Sequence, residues 1–274
     1  MRAFFLALWI STSLAGQEPS VRWIYYTSDQ APVKDFAPYS LLVLDSIYHP
    51  PLDPLRKQGK TVLGYISLGE IEKFRPWFKE VKKEGILLEE NENWPGSYMV
   101  DLRDSRWRER VINDLIPQIL HKGFEGLHFD TLDNAEYLEE KDPKKYAGMV
   151  DAAVEMVQEI RRHYPDIPIM LQRAYPVLLR AANDVDFALA EDLVTQYDFD
   201  NKKYLMQSKK IFQKQVDILH EAKRINPKLG LFSLDYWNPS QKEKVKEIYR
   251  IAREQGINPY VGTIDLHRII PEPK

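Results

Sequence analysis

The residues of this chain best equipped for chemistry are carboxylates that stand where apolar runs stop. GFEGLHFDTLDN, residues 123–134, contains a short apolar run that carries His128 and ends in Asp130, with Asp133 three residues further on. DFALAED (186–192) ends in Glu191 and Asp192, and LGLFSLDY (229–236) ends in Asp235 and Tyr236. SLLVLD (40–45) closes on Asp45, IPIMLQR (167–173) on Gln172 and Arg173, and NPYVGTID (258–265) on Asp265. TVLGYISL (61–68) runs through Tyr65 towards Glu70. A carboxylate at the end of an apolar strand is costly unless it meets a partner or a ligand. Two of them flanking a bond suit glycoside hydrolysis, one protonating the leaving oxygen while the other acts as nucleophile or base. Tyr65, Trp77, Trp94, Tyr236 and Trp237 are rings of the kind that stack on sugar faces. For any single one of them, packing in the core or at a rim is the commoner role.

Other chemistries lack their signatures. His49 lies in a proline-bracketed loop and His128 is alone on its strand; His121, His163 and His220 sit late in helical segments, where a cation suits the dipole. No HxH, HExxH or Cys/His spacing gathers metal ligands, so no metal and no cofactor is expected, a divalent-metal hydrolase built on the aspartates being the third reading. There is no GxSxG elbow, and Ser67 has no evident histidine partner. TSDQAP, after the first β-rich run RWIYYT (22–27), has no GxGxxG pattern, and no phosphate-binding lysine loop occurs. The net charge is −3 with Lys and Arg dispersed, which argues against nucleic acid as a partner.

Such carboxylates need a frame that gathers strand ends. The eight β-rich runs, 22–27, 40–45, 61–68, 126–132, 167–173, 186–192, 229–236 and 258–265, alternate with amphipathic stretches such as YAGMVDAAVEMVQEIRRHYP and SKKIFQKQVDILHEAKRINP. That alternation predicts an α/β fold, a single (β/α)8 TIM barrel over residues 17–274, whose active site sits at the carboxyl ends of the strands. A doubly wound open sheet is the competing architecture. Roughly residues 69–106 have no clear pattern and read as a long functional loop holding Trp77 and Trp94, with Trp107 at its end.

Alternation places Gly126, His128 and Asp130 on one strand face and Leu127, Phe129 and Thr131 on the other, so Asp130 is expected in the barrel mouth. Phe187, Leu189 and Glu191 likewise share a face. Plainer roles compete. Asp133 with Asn134 reads equally as a helix cap, Asp192 and Asp265 as solvated loop residues, Glu70 as a partner of Arg75 or a turn cap, and Asp45 as half of an ion pair in the mouth. Asp130 and Glu191 are the hardest to explain that way.

MRAFFLALWISTSLAG, residues 1–16, has an early arginine, an apolar run from Ala3 to Ile10 and small residues at Ser13 and Ala15. This is the layout of a signal peptide and predicts a secreted or periplasmic protein; the run is too short to span a bilayer, so no stable membrane insertion is expected. The chain has no cysteine, so its stability must come from its core rather than from disulfides.

LGYISLGEIEKFRPWF (63–78), WPGSYMVDLRDSRW (94–107) and GFEGLHFDTLDN, in that order, resemble the glycoside hydrolase family 114 barrels, the endo-α-1,4-polygalactosaminidase-like group with its related "extracellular protein" branch. The resemblance spans nearly the whole chain after residue 16. It implies a (β/α)8 glycosidase that cleaves α-1,4-linked galactosamine-rich polysaccharide or oligosaccharide, with Asp130 and Glu191 as the catalytic pair. By the same resemblance Asp130 is the nucleophile and Glu191 the acid/base, and Tyr65, Glu70, Asp133, Asp235 and Tyr236 line the cleft. Asp45 and Gln172 join the substrate-binding candidates from their places at strand ends. Gln172, Arg173 and His128 depart from the family pattern, Arg173 adding a cation near the mouth. The alternative reading is a non-catalytic carbohydrate-binding barrel of an exopolysaccharide or envelope system.

Overall fold

The structure, a computed structural model, describes residues 21–274, so the segment expected to be a signal peptide lies outside the described residues. Each of the eight β-rich runs contains one strand of an eight-stranded sheet: β1 (Trp23–Tyr26), β2 (Leu41–Asp45), β3 (Thr61–Ser67), β4 (Gly126–Asp130), β5 (Ile169–Gln172), β6 (Phe187–Glu191), β7 (Gly230–Tyr236) and β8 (Asn258–Gly262). Consecutive strands pair in parallel from β1 to β8. At the seam between β8 and β1, Trp23 Nε1 donates to the Asn258 carbonyl (2.9 Å), the Val21 amide to Asn258 Oδ1 (2.9 Å), and the Thr27 amide to the Leu266 carbonyl (3.0 Å). The strands therefore form a nearly closed (β/α)8 barrel.

Helices follow the strands for the reasons their sequences give. The helix Lys209–Ile225 starts at Ser208, whose hydroxyl accepts from the Ile211 amide, and ends in Lys223 and Arg224. It buries Val216, Leu219 and Ala222, a spacing of three that keeps one face on the barrel. Among the described residues, no helix is long and apolar enough to cross a membrane.

Register then decides which side chains reach the lumen, because partners in a parallel ladder share a sheet face. Asp45 stands beside Tyr65, Tyr65 beside His128, Ser67 beside Asp130, His128 beside Met170, Gln172 beside Leu189, and Glu191 beside Leu234. The lumen face consequently carries Asp45, Tyr65, His128, Asp130, Gln172, Glu191 and Tyr236. Asp235, one residue out of phase, faces the other way. Below the mouth the lumen is filled by rings: Trp23 meets Phe232 at 5.5 Å and Tyr260 at 5.9 Å, and Phe187 meets Phe232 at 5.5 Å.

Two insertions interrupt the β/α repeat. Residues 69–106, expected as a loop, instead hold a three-stranded antiparallel sheet (Glu70–Glu72, Leu87–Glu90, Ser97–Val100) and the helix Phe78–Glu84. Trp107 is fully buried and donates Nε1 to the Leu68 carbonyl (2.8 Å). The second insertion is a hairpin after β6, Thr195–Asp198 paired with Lys203–Met206. Strands such as LLEE and TQYD are too short and too polar to show a two-residue period, which is why they are invisible to pattern reading.

Gly123 ends a helix at φ +106°, a left-handed value, and Gly126 opens β4 where the backbones crowd. A Cβ on Gly126 would lie 2.2 Å from the Pro168 carbonyl oxygen and 2.8 Å from Leu63. Gly126→Ala should therefore force β4 and β5 apart and cost about 2 kcal/mol or more in urea unfolding. A loss of only a few tenths would show that the strands have room.

Candidate active site

Asp130 and Glu191 converge at the mouth, joined by a single amide. Gln172 Nε2 donates to Asp130 Oδ1 at 2.9 Å and to Glu191 Oε2 at 3.1 Å. Carboxylates only accept, so the amide must turn its nitrogen towards them. Laid end to end, the two bonds keep those oxygens no more than about 6 Å apart, within reach of opposite sides of one glycosidic bond. Asp130 Oδ1 also accepts the Thr131 amide (2.7 Å), and Glu191 Oε1 accepts the Tyr236 hydroxyl (2.5 Å).

Both acids are only partly exposed. Burial, then the charges of Glu191 and Asp133, push the Asp130 carboxyl well above its usual range, against the Thr131 amide and Tyr65. Burial also raises Glu191, opposed by the Arg173 guanidinium and the Tyr236 hydroxyl. Two carboxyls this close and this far withdrawn from solvent titrate as a unit, and the first proton they hold is the one an acid catalyst would use. Beneath them His128 is completely buried, 5.0 Å from the Tyr25 ring and stacked on Tyr65 at 5.9 Å. Its two ring nitrogens and Gln172 Oε1 have no hydrogen-bond partner among the described residues. Burial lowers the His128 pKa to about 3, so the ring is neutral and adds no charge to the lumen.

The remaining sequence candidates divide by what already occupies them. Tyr65 lies half-buried beside Arg75, and Tyr236 is committed to Glu191. Asp45 accepts the Ile47 and Tyr48 amides and pairs with Arg75 Nη2 at 3.2 Å. Arg75 also binds Glu72, at 3.0 Å, rather than Glu70. Glu70 is buried and receives Asn91, Asn134 and Ser97, tying the first insertion to the turn after β4. Asp235, facing away from the lumen, accepts the Val194 and Thr195 amides and the Thr195 and Ser233 hydroxyls. All the carboxylate oxygens of Asp45, Glu70 and Asp235 are thus engaged by protein donors, and these residues brace the site. Asp133 makes no cap bond to the helix Asn134–Lys141; it turns to Arg173 Nε at 3.3 Å. Arg173 in turn reaches Glu191 at 3.9 Å. Among the described residues no three His, Asp or Glu side chains are placed to hold a metal ion.

One feature has no signature in the sequence. The residues directly after Asp130, Gln172 and Glu191, namely Thr131, Arg173 and Asp192, all have left-handed backbones, with φ of 66°, 51° and 55°. Three adjacent strands thus end in the same strained turn, as happens where surrounding structure fixes a functional geometry. The Thr131 hydroxyl helps to hold its turn through the Gly69 amide and Ser67, each at 2.8 Å.

Asp192, expected as a solvated loop residue, is partly buried, and its Oδ1 has no partner among the described residues. Burial, then the charges of Glu191 and Asp235, raise its pKa to about 8. The folded state therefore keeps a proton that the unfolded chain releases near 3.8. Asp192 thus weakens the fold progressively as pH rises between those values. Asp192→Asn should melt several degrees above the wild type at about pH 9 and converge with it near about pH 4. Identical shifts at both pH values would assign the effect to something other than this carboxyl.

Comparison with known proteins agrees with the barrel fold. The glycoside hydrolase domain of PelA from Pseudomonas aeruginosa superposes with a TM-score of 0.82 at 18% identity, covering 93% of this chain and 99% of that one. Aspergillus fumigatus Ega3, solved in complex with galactosamine, gives 0.68 at 16% identity over 93% and 96% of the two chains. At such identities the likeness is one of fold. An uncharacterized protein of Deinococcus radiodurans is 26% identical over 218 residues, 78% of this chain and 67% of its own. The family model for GH114 matches residues 11–272, taking in every barrel strand and both acids of the mouth, and the chain belongs to glycoside-hydrolase family GH114.

Proposed function

We propose that this glycoside hydrolase cleaves an amino-sugar polysaccharide, α-1,4-linked galactosamine-rich chains, by a two-carboxylate mechanism with retention of configuration. The observation that carries the reading is the Gln172 bridge, which keeps the facing carboxyl oxygens of the two acids within about 6 Å, close to the separation of retaining glycosidases. That separation also favours catalysis over the binding-only alternative. The substrate class is supported by Ega3, which was solved with galactosamine, and by Asp133 and the acid pair Asp130 and Glu191 at one mouth, where carboxylate charge favours a cationic sugar. The signal-peptide layout of residues 1–16 supports action outside the cytoplasm, on polymer that does not enter the cell.

In this reaction Asp130 attacks the anomeric carbon, fixed in position by the Thr131 amide and Gln172. Glu191 gives its proton to the leaving oxygen and then takes one from the water that releases the sugar. Its side chain is 23% exposed, enough to exchange protons with solvent. Burial raises Asp130 strongly in the free protein, so the shared proton must pass to Glu191 as the sugar enters. Arg173, held between Asp133 and Glu191, has to yield some of its ion pairing when a cationic residue binds there.

Substitution separates the roles. Asp130→Asn and Glu191→Gln should each lower polymer cleavage by about 10³-fold. With a sugar bearing a good leaving group, Glu191→Gln should still release it in a burst, because that step no longer needs an acid, whereas Asp130→Asn should not. A burst from Asp130→Asn alone would exchange the two roles. Wild-type rates from both variants would remove the pair from catalysis.

A further inference from the structure

The tips of the two insertions meet. Trp94 lies in the turn between the insertion strands Leu87–Glu90 and Ser97–Val100, and Phe199 in the turn of the hairpin after β6. Their rings touch edge to face at 5.5 Å although Trp94 is 52% and Phe199 39% exposed. From Phe199 the contacts continue to Tyr197 (5.1 Å), to Tyr204 (5.2 Å) and to Trp237 (6.2 Å). Trp237 directly follows Tyr236, the residue that donates to Glu191. The two insertions follow β3 and β6, which stand three places apart in the ring of eight strands. A contact between their tips therefore joins two separate parts of the rim at the carboxyl ends of the strands.

Core packing accounts for Tyr204 and Trp237 at the inner end of this row but not for Trp94 and Phe199, which stay exposed at its outer end. Its chemistry is that of a surface for pyranose rings, which present apolar C–H faces to aromatic planes and hydroxyls to solvent. The step from ring to ring is on the scale of one sugar residue. We infer that the aromatic row from Trp94 to Trp237 is a second glycan-binding surface, an arch that holds the polysaccharide chain several residues away from the bond being cut. The occupant is the substrate polymer itself, because the hairpin that carries Tyr197, Phe199 and Tyr204 follows β6, the strand that ends in Glu191. This rests on the glycosidase reading for the identity of the chain and adds a recognition of chain length that the acid pair lacks. A short oligosaccharide fills the mouth without reaching Trp94, whereas a polymer engages both.

The test is the ratio of polymer to trisaccharide affinity, measured calorimetrically on the full chain carrying Glu191→Gln, so that nothing is consumed. Soluble α-1,4-linked galactosamine polymer and its trisaccharide are the first probes, followed by neutral pyranoside polymers with their own trisaccharides. Trp94→Ala with Phe199→Ala should lower the ratio about tenfold, and Trp94→Phe with Phe199→Tyr should restore most of it. An unchanged ratio would overturn the arch. A third protein, Trp94→Cys with Phe199→Cys, is joined by a short bis-maleimide, which is selective because the natural chain has no cysteine. If the cross-link alone restores the ratio, the rings serve only to tether the tips and the binding surface is refuted. A ratio that depends on the rings for a neutral polymer, with no galactosamine binding, would reject the proposed substrate and keep the arch. Failure to bind any polymer would reject both.

Discussion

One amide nitrogen holds the mouth of this barrel together. Gln172 Nε2 stands between Asp130 and Glu191, donating to both, in a place where burial discourages either carboxyl from ionising. Two half-buried carboxyls at this distance repel each other once both are charged, and a neutral donor shared between them is the mildest way to keep them side by side. A cation in the same position would lower both pKa values and leave no proton on the pair. The polar interior beneath is kept neutral in the same way, by a buried imidazole whose pKa falls to about 3.

Much of the surrounding structure serves that geometry. Left-handed turns at Thr131, Arg173 and Asp192 end three neighbouring strands immediately after the three residues of the bridge. Asp235 collects the amides of Val194 and Thr195 on the far side of the sheet and so fixes the chain just beyond Glu191. Glu70 fixes the first insertion to Asn134, just beyond Asp133. These buried acids are hydrogen-bonded several times over, as buried charge requires. Their work is to position others.

The barrel and the face of Asp130 could be read from the sequence because both depend on local periodicity. Eight apolar runs at regular intervals leave few topologies, and the two-residue alternation of GLHFD settles which side of the strand Asp130 occupies. What could not be read depends on pairings between distant residues. Gln172 looked like one more polar strand end until register set it between two acids. Asp235 had the right position along its strand but the wrong parity, which only a partner strand reveals. Asp133 had the sequence of a helix cap, and a guanidinium forty residues away claimed it. The insertion after β3 hid its three strands in short polar segments, and the contact of Trp94 with Phe199 joins turns more than a hundred residues apart.

The proposed chemistry makes Asp130 the atom-bonding partner of the sugar, and one measurement addresses this directly. A 5-fluoro galactosaminyl fluoride forms a glycosyl-enzyme that hydrolyses slowly enough for digestion and mass spectrometry. A single covalent sugar on the peptide containing Asp130, absent from Asp130→Asn, is the expected result. A label on Glu191, or turnover of the fluoride with inversion and no adduct, would contradict it.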